Sequence, residues 1–207
     1  MNHSIGGVIC SFREINKTLL ENTWKKENVD FKDGIMSLTI DRDENGYTGG
    51  EYFSREEYGY GLYQVNMKAI KNPGVVSSFF NYSRDETGRT EIDIEFLGYD
   101  TTKVQFNYFT NDNVGGHEYL YDLGFDASEA FHNYAFYWGP NEIIWYVDGK
   151  QAYTMQGDIP SKKAAIFMDA WTGDQPEWLK PFDGTTPLTA YYDWFSYSEE
   201  NIFATEE

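Results

Sequence analysis

From Trp24 to Tyr197 the chain is cut by turn residues into short apolar or alternating runs, and that punctuation leaves little choice of fold. The runs cover 35–41, 47–54, 60–70, 74–82, 90–97, 103–110, 117–123, 131–138, 142–149, 151–156, 164–171 and 187–197. Each has the length of a β-strand, with either the period-two alternation of a half-buried strand or the apolar run of a buried one. Turn formers separate them: Asp33-Gly34, Asn45-Gly46, Asn72-Pro73-Gly74, Gly139-Pro140-Asn141, Asp148-Gly149 and Asp183-Gly184. Asp148-Gly149 joins I-I-W-Y-V to K-Q-A-Y and reads as a two-residue hairpin. Many short strands with little helix predict an all-β sandwich or barrel. At 207 residues the expectation is a single domain over 1–207 with a core large enough for two sheets. Residues 1–23 fit that pattern poorly. Ser11-Phe12-Arg13-Glu14 has the form of a capping box, and Phe12, Ile15, Leu19 and Leu20 follow helical spacing, so 12–21 predicts a short helix.

Composition narrows the partners. Lys and Arg total 16 against 34 Asp and Glu, a formal charge of −18, which argues against nucleic acid and anionic membranes. An uncharged polymer is indifferent to that charge. The 17 Tyr, 15 Phe and 6 Trp exceed what an ordinary core uses and suit a sugar groove, where flat rings stack on pyranose faces. No apolar run approaches the roughly 20 residues of a membrane span. The start, M-N-H-S-I-G-G-V-I-C, lacks the basic and long apolar regions of a signal peptide. Cys10, the single cysteine, excludes an internal disulfide.

The chemistry concentrates in T-E-I-D-I-E-F-L, residues 90–97. In a strand, Glu91, Asp93 and Glu95 share one face while Ile92, Ile94 and Phe96 take the other. Paired carboxylates on one wall of a cleft are what glycosidic bond cleavage needs. The same alternation equally describes a solvated acidic edge strand in an acidic protein. Other chemistries have weaker claims. His3, His117 and His132 are scattered without cysteine partners, which offers no zinc spacing, and no phosphate loop or G-x-S-x-G elbow is present. His132, alternating with aromatics, reads as a hydrogen-bonded structural residue. Trp138, Trp145 and Trp194 lie in apolar strands and read as core. Trp171, between an apolar strand and the turn Thr172-Gly173, is a candidate cleft wall.

Longer stretches then carry a resemblance. E-I-D-I-E-F-L-G (91–98) runs into Y-D-T-T-K-V-Q-F-N-Y (99–108) and follows Y-G-Y-G-L-Y-Q-V-N-M-K (58–68) and K-N-P-G-V-V-S-S-F-F (71–80). L-G-F-D-A-S (123–128), F-H-N-Y-A-F-Y-W (131–138) and W-Y-V-D-G (145–149) come later. Together these closely resemble the 1,3-1,4-β-glucanases (lichenases) of glycoside hydrolase family 16, from about Trp24 to about Tyr197. The resemblance implies a β-jelly roll of two curved antiparallel sheets with a concave substrate cleft. It implies Glu91 as nucleophile, Glu95 as general acid/base and Asp93 as an assisting group, whose negative charge beside Glu91 would keep Glu95 protonated. It further implies a retaining hydrolase of β-glucan that needs no cofactor, acts as a monomer and works outside the cell.

Matches and departures from the family pattern share the implied cleft. Glu51, Tyr60, Asn107 and Trp171 match substrate-binding positions. Phe53 stands where relatives carry an Arg, Phe109 where they carry a Tyr, and Asp169 where they carry an Asn before the cleft Trp. Arg89-Thr90 replaces a Trp-Asp pair, which removes an aromatic sugar platform. The loops 83–90 and 172–177 are shortened. Asn22 and Gly49 occupy positions that hold paired cysteines in relatives. The family's N-terminal strand finds no clear counterpart in 1–23, a segment that in relatives helps hold a structural calcium for which Asp193 is the matching carboxylate. The regular E-I-D-I-E spacing favours mixed-linkage substrates, because relatives that cut 1,3-linked glucan often carry an extra residue that bulges this strand. The altered cleft implies a weakened site. It keeps open a β-glucan-binding protein with little turnover, or a family member acting on 1,3-β-glucan or an agar-type galactan.

Overall fold

The structure is a computed structural model that describes residues 7–9, by their backbone, 22–111 and 117–204. The helix predicted over 12–21, His3 and Cys10 lie outside the described residues. Fifteen strands form: β1 (Gly7–Ile9), β2 (Asn22–Trp24), β3 (Val29–Lys32), β4 (Ile35–Asp43), β5 (Gly46–Tyr58), β6 (Gly61–Lys68), β7 (Val75–Asp85), β8 (Gly88–Leu97), β9 (Lys103–Asn111), β10 (Tyr119–Asp122), β11 (His132–Trp138), β12 (Glu142–Val147), β13 (Lys150–Gln156), β14 (Ala164–Thr172) and β15 (Leu188–Ser198). One helical turn, α1 (Pro176–Leu179), follows β14. Every run expected from the sequence forms a strand, and β1, β2 and β3 are additional.

Hydrogen-bonded neighbours run β10-β9-β8-β7-β14-β5-β4-β15-β6-β11-β12-β13. The path folds over where β5 meets β4 through only Asp41–Asp43 and Gly46–Thr48, so six strands lie on each side of that corner. β1 extends the first side by pairing antiparallel with Tyr52–Ser54 of β5, so the N-terminal region does supply a strand beside the site. The far ends approach again where Tyr119 of β10 stacks on Tyr153 of β13 at 3.9 Å. The result is the jelly-roll sandwich that the strand pattern and the resemblance imply.

The two inner faces make the core. Ile92, Ile94 and Phe96 of β8 are fully buried with Phe106 of β9 and Phe79 of β7. Aromatic rings from the other layer interlock with them: Phe106 on Trp145 at 5.5 Å, Phe96 on Tyr134 at 4.8 Å and Phe79 on Phe136 at 6.1 Å. Polar tips of two such rings tie the layers together. Trp145 Nε1 donates to the Asp93 carbonyl at 3.1 Å, and Tyr192 Oη donates to the Ser78 and Asp169 carbonyls at 2.9 and 3.2 Å. Asp93 and Asp169 lie on strands whose outer faces carry acidic residues, and Ser78 lies on β7 between them.

Local predictions fare unevenly. Asp148 and Gly149 both have positive φ, 48° and 74°, and Val147 pairs with Lys150, so the expected two-residue hairpin forms. His132 is structural as expected: its Nδ1 lies 2.8 Å from Asp148 Oδ2 and its ring stacks on Phe125. Trp138 and Trp145 are core, but Trp194 is 42 % exposed and corrects the expectation. The register of β15 against β6 slips between Tyr192 and Trp194. That extra residue reverses the alternation, so Tyr192 faces the core and Trp194 faces solvent.

Candidate active site

The antiparallel pairing of β8 with both neighbours turns a sequence alternation into a surface. Glu91 lies between Tyr82 and Phe109, Asp93 between Phe80 and Asn107, and Glu95 between Ser78 and Gln105. β14 and β5 extend the last two rows with Phe167 and Phe53, and with Asp169 and Glu51. The face opposite the Ile92/Ile94/Phe96 core therefore gathers Glu51, Phe53, Arg89, Glu91, Asp93, Glu95, Asn107 and Phe109. The register of β8 runs unbroken from Gly88 to Leu97 against β7, with no bulge in the acidic stretch.

The carboxylates differ in their surroundings. Glu91 forms an ion pair with Arg89, Nη1 to Oε2 at 3.0 Å, and shares a side-chain hydrogen bond with Asp93. Glu95 Oε2 accepts a hydrogen bond from Gln105 Nε2 at 2.9 Å. Gln105 is itself held, since its Oε1 accepts from Trp178 Nε1 at 3.2 Å. Burial pushes all three acids upward. Asp93 is raised well above the usual carboxylate range by burial and then by the charges of Glu91 and Glu95, and its side chain is hydrogen-bonded to Glu91. Glu95 is pushed to about 7 by burial and then by Glu91. Beside burial, the charge that raises Glu95 most is that of Glu91. Glu91 is also raised by burial, but Arg89 and the Asp93 hydrogen bond oppose that rise. Glu91 and Glu95 are both raised to about 7, and they differ in their partners: a cation and Asp93 on Glu91, a neutral amide on Glu95.

The structure places the remaining expected residues as follows. Glu51 and Asp169 lie directly across from each other and are buried; Asp169 is raised well above the carboxylate range by burial and accepts a hydrogen bond from Ser78 Oγ. Phe53 stacks on Phe167 at 5.1 Å, and Phe167 stacks on Phe80 at 5.2 Å, so Phe53 belongs to a file of phenyl rings. Trp171 is on the cleft side but only 6 % exposed, packed against Trp178 of α1, and Trp178 is the more open of the two. Asn107 is buried and its Oδ1 accepts from the Tyr108 amide at 2.9 Å, which turns it toward its own strand. Tyr60 corrects the expectation. It sits in the β5–β6 turn edge-on to Trp138, at 5.1 Å, with its carbonyl accepting from Tyr197, and not on the cleft rows. Asp193 is exposed at the β15 slip, and no group of three or more His, Cys, Asp or Glu side chains among the described residues is placed to hold a metal.

Gln105, Trp178, Ser78, Phe80 and Phe167 were not singled out in the sequence. Gln105 carried a signal, two residues before Asn107 on a period-two strand. Trp178 carried none, because the α1 turn that delivers it follows the loop after β14. The Asn22/Gly49 correspondence holds spatially: a Cβ on Gly49 would lie 2.8 Å from Asn22 Nδ2. Asn22 Oδ1 instead accepts from the Thr172 amide at 3.0 Å.

The model of the glycosyl hydrolases family 16 matches residues 16–195. The chain belongs to that family. It is a glycoside hydrolase. It is 50 % identical over 188 residues to a beta-glucanase of Paenibacillus polymyxa, covering 88 % of this chain and 79 % of that protein. It is 49 % identical over 191 residues to a xylanase/beta-glucanase of Ruminococcus flavefaciens, where the match takes 86 % of this chain but spans only 24 % of that longer protein. Among solved structures, a beta-1,3-1,4-glucanase (lichenase) from a mouse hindgut metagenome superposes with a TM-score of 0.88 at 48 % identity, covering 94 % of this chain and 93 % of that one.

Proposed function

We propose that this family 16 hydrolase is a retaining endo-β-glucanase acting on mixed-linkage 1,3-1,4-β-glucan. The observation that carries the reading is the asymmetric pair on β8: Glu91 held by Arg89 and Asp93, and Glu95, raised by burial, hydrogen-bonded to the neutral amide of Gln105. In the first step a Glu91 oxygen attacks the anomeric carbon as the glycosidic C–O bond breaks. Glu95 gives its proton to the departing oxygen. As Glu91 becomes a neutral ester, its negative charge no longer raises Glu95, which is then a carboxylate suited to act as base. Water passes a proton to Glu95 while its oxygen attacks the same carbon, and Glu91 leaves as carboxylate. Two inversions give net retention.

Mixed linkage is favoured by the unbroken register of β8 and by the likeness to the lichenase structure. The ring file Phe53–Phe167–Phe80 and the Glu51/Asp169 row supply stacking surface and hydrogen-bonding groups for an uncharged polymer. Such a polymer is met outside the cell, so export belongs to the proposal. A binding protein without turnover loses its main support at Arg89, which puts a cation on Glu91.

A reducing-sugar assay across barley β-glucan, lichenan, laminarin and agarose tests the substrate, with hydrolysis of the first two expected. Laminarin or agarose as the preferred substrate would reassign the specificity. Glu91→Gln is expected to abolish turnover with the fold intact. Glu95→Gln is expected to abolish work on glucans while sparing aryl glycosides whose leaving group needs no proton. Near-wild-type activity of either variant on barley glucan refutes the assignment, and an α-anomer as first product by proton NMR refutes retention.

A further inference from the structure

Arg89 is joined to two groups at once. Its guanidinium lies 3.4 Å from the centroid of the Phe109 ring, and its Nη1 lies 3.0 Å from Glu91 Oε2. The geometry is set by strand pairing. Arg89 and Glu91 are two apart on β8 and share a face, and the β9 partner of Glu91 is Phe109. The ring thus lies beside the carboxylate, and a flat cation can cover the ring while its edge reaches Glu91. An Arg fits this arrangement better than a Lys, because its planar fork stacks on a ring and donates along its edge at the same time. Arg89 is only 27 % exposed at its side chain, so the contact is partly shielded from water.

Among the described residues, the groups around Glu91 are otherwise acidic or neutral. Asp93 and Glu95 follow on its own strand, Tyr82 faces it from β7, and Asp169 and Glu51 approach from β14 and β5. Arg84, across from Arg89 at the exposed end of β7, lies one row further away. A carboxylate buried among acids would hold a proton and be useless as a nucleophile at neutral pH.

We propose that Arg89, clamped flat on Phe109, is a positioning residue that keeps the Glu91 carboxylate ionised and oriented for attack. The proposal rests on Glu91 being the nucleophile. Arg89 itself need not touch the sugar, and its cost to turnover should depend on pH. An Arg beside a carboxylate moves its ionisation by about one to three pH units. Removing the charge should therefore shift the acid limb of kcat/KM upward by at least about one pH unit, a roughly tenfold loss below that limb that closes at alkaline pH.

The test compares wild type with Arg89→Gln, Arg89→Lys and Phe109→Leu. Two readouts are taken on the intact chain. One is kcat/KM against pH on barley β-glucan. The other is the titration of the Glu91 side-chain carbon by 13C NMR in glutamate-labelled protein, assigned with Glu91→Gln, which needs no substrate. The expected result is an upward move of both the acid limb and the Glu91 titration in Arg89→Gln. Most of that move should be reversed by Arg89→Lys, and a smaller one should appear in Phe109→Leu. Coincident Glu91 titrations in wild type and Arg89→Gln overturn the proposal, as does a loss of activity in Arg89→Gln that is the same at every pH. If the titration moves while no glucan is hydrolysed by the wild type, the ion pair stands and the functional reading falls instead.

Discussion

Glu95→Gln should make the protein more stable, and only above mildly acid pH. The carboxyl of Glu95 is raised from its ordinary 4.5 to about 7, by burial first and by the Glu91 charge second. A group raised in the folded protein favours folding fully below its unfolded value, and that contribution is lost as pH climbs through the folded value. The wild type therefore loses stability on this account between about 4.5 and about 7 and then levels off. At about 1.4 kcal/mol per pH unit the full loss is about 3 kcal/mol. The charge shared with Glu91 and the partial exposure of the side chain reduce it to about 2 kcal/mol. Glutamine resembles the protonated acid and does not titrate, so the variant escapes the loss. Any fixed packing change from the amide beside Gln105 cancels when the two proteins are compared across pH. Thermal melts at pH 4.5, 6, 7 and 8 should show the variant gaining roughly 4–8 °C over wild type between the ends of that range. A melting difference that is constant from pH 4.5 to 8 would refute the reasoning, since it would mean that Glu95 ionises in the fold as readily as in the unfolded chain.

Two further predictions concern how the carboxylate strands are held. Gly49→Ala places a Cβ 2.6 Å from the Ala170 carbonyl oxygen, a backbone atom that cannot swing aside, and should destabilise by about 1–3 kcal/mol in chemical denaturation. Tyr192→Phe removes the hydroxyl that donates to the Ser78 and Asp169 carbonyls and should cost about 1–2 kcal/mol, with a fall in kcat/KM on barley glucan from looser seating of the cleft sheet.

The weakened cleft expected from Phe53, Arg89 and Phe109 takes a different form in three dimensions. Read separately, each residue is a loss: a missing Arg, a missing Trp, a missing hydroxyl. In the fold, Arg89 lies on Phe109 and pairs with Glu91, while Phe53 joins Phe167 and Phe80 in one file of rings. The substitutions act as two linked sets, and neither linkage is visible along the chain because it runs across strands.

The amino-acid sequence by itself determined whatever depends on neighbours a few residues apart. Strand alternation put Glu91, Asp93 and Glu95 on one face and Ile92, Ile94 and Phe96 on the other, since side-chain direction has a period of two in any strand. Asp148-Gly149 dictated its hairpin because its two residues suit the positive φ of a tight turn. Tertiary structure alone decided what those faces meet. Register between strands distant in sequence set Gln105 on Glu95 and Phe109 beneath Arg89, and a one-residue slip in β15 sent Trp194 outward while Tyr192 stayed in the core. The protonation states followed from the same source. Burial and the charges of neighbouring side chains, not residue identity, raise all three acids of β8.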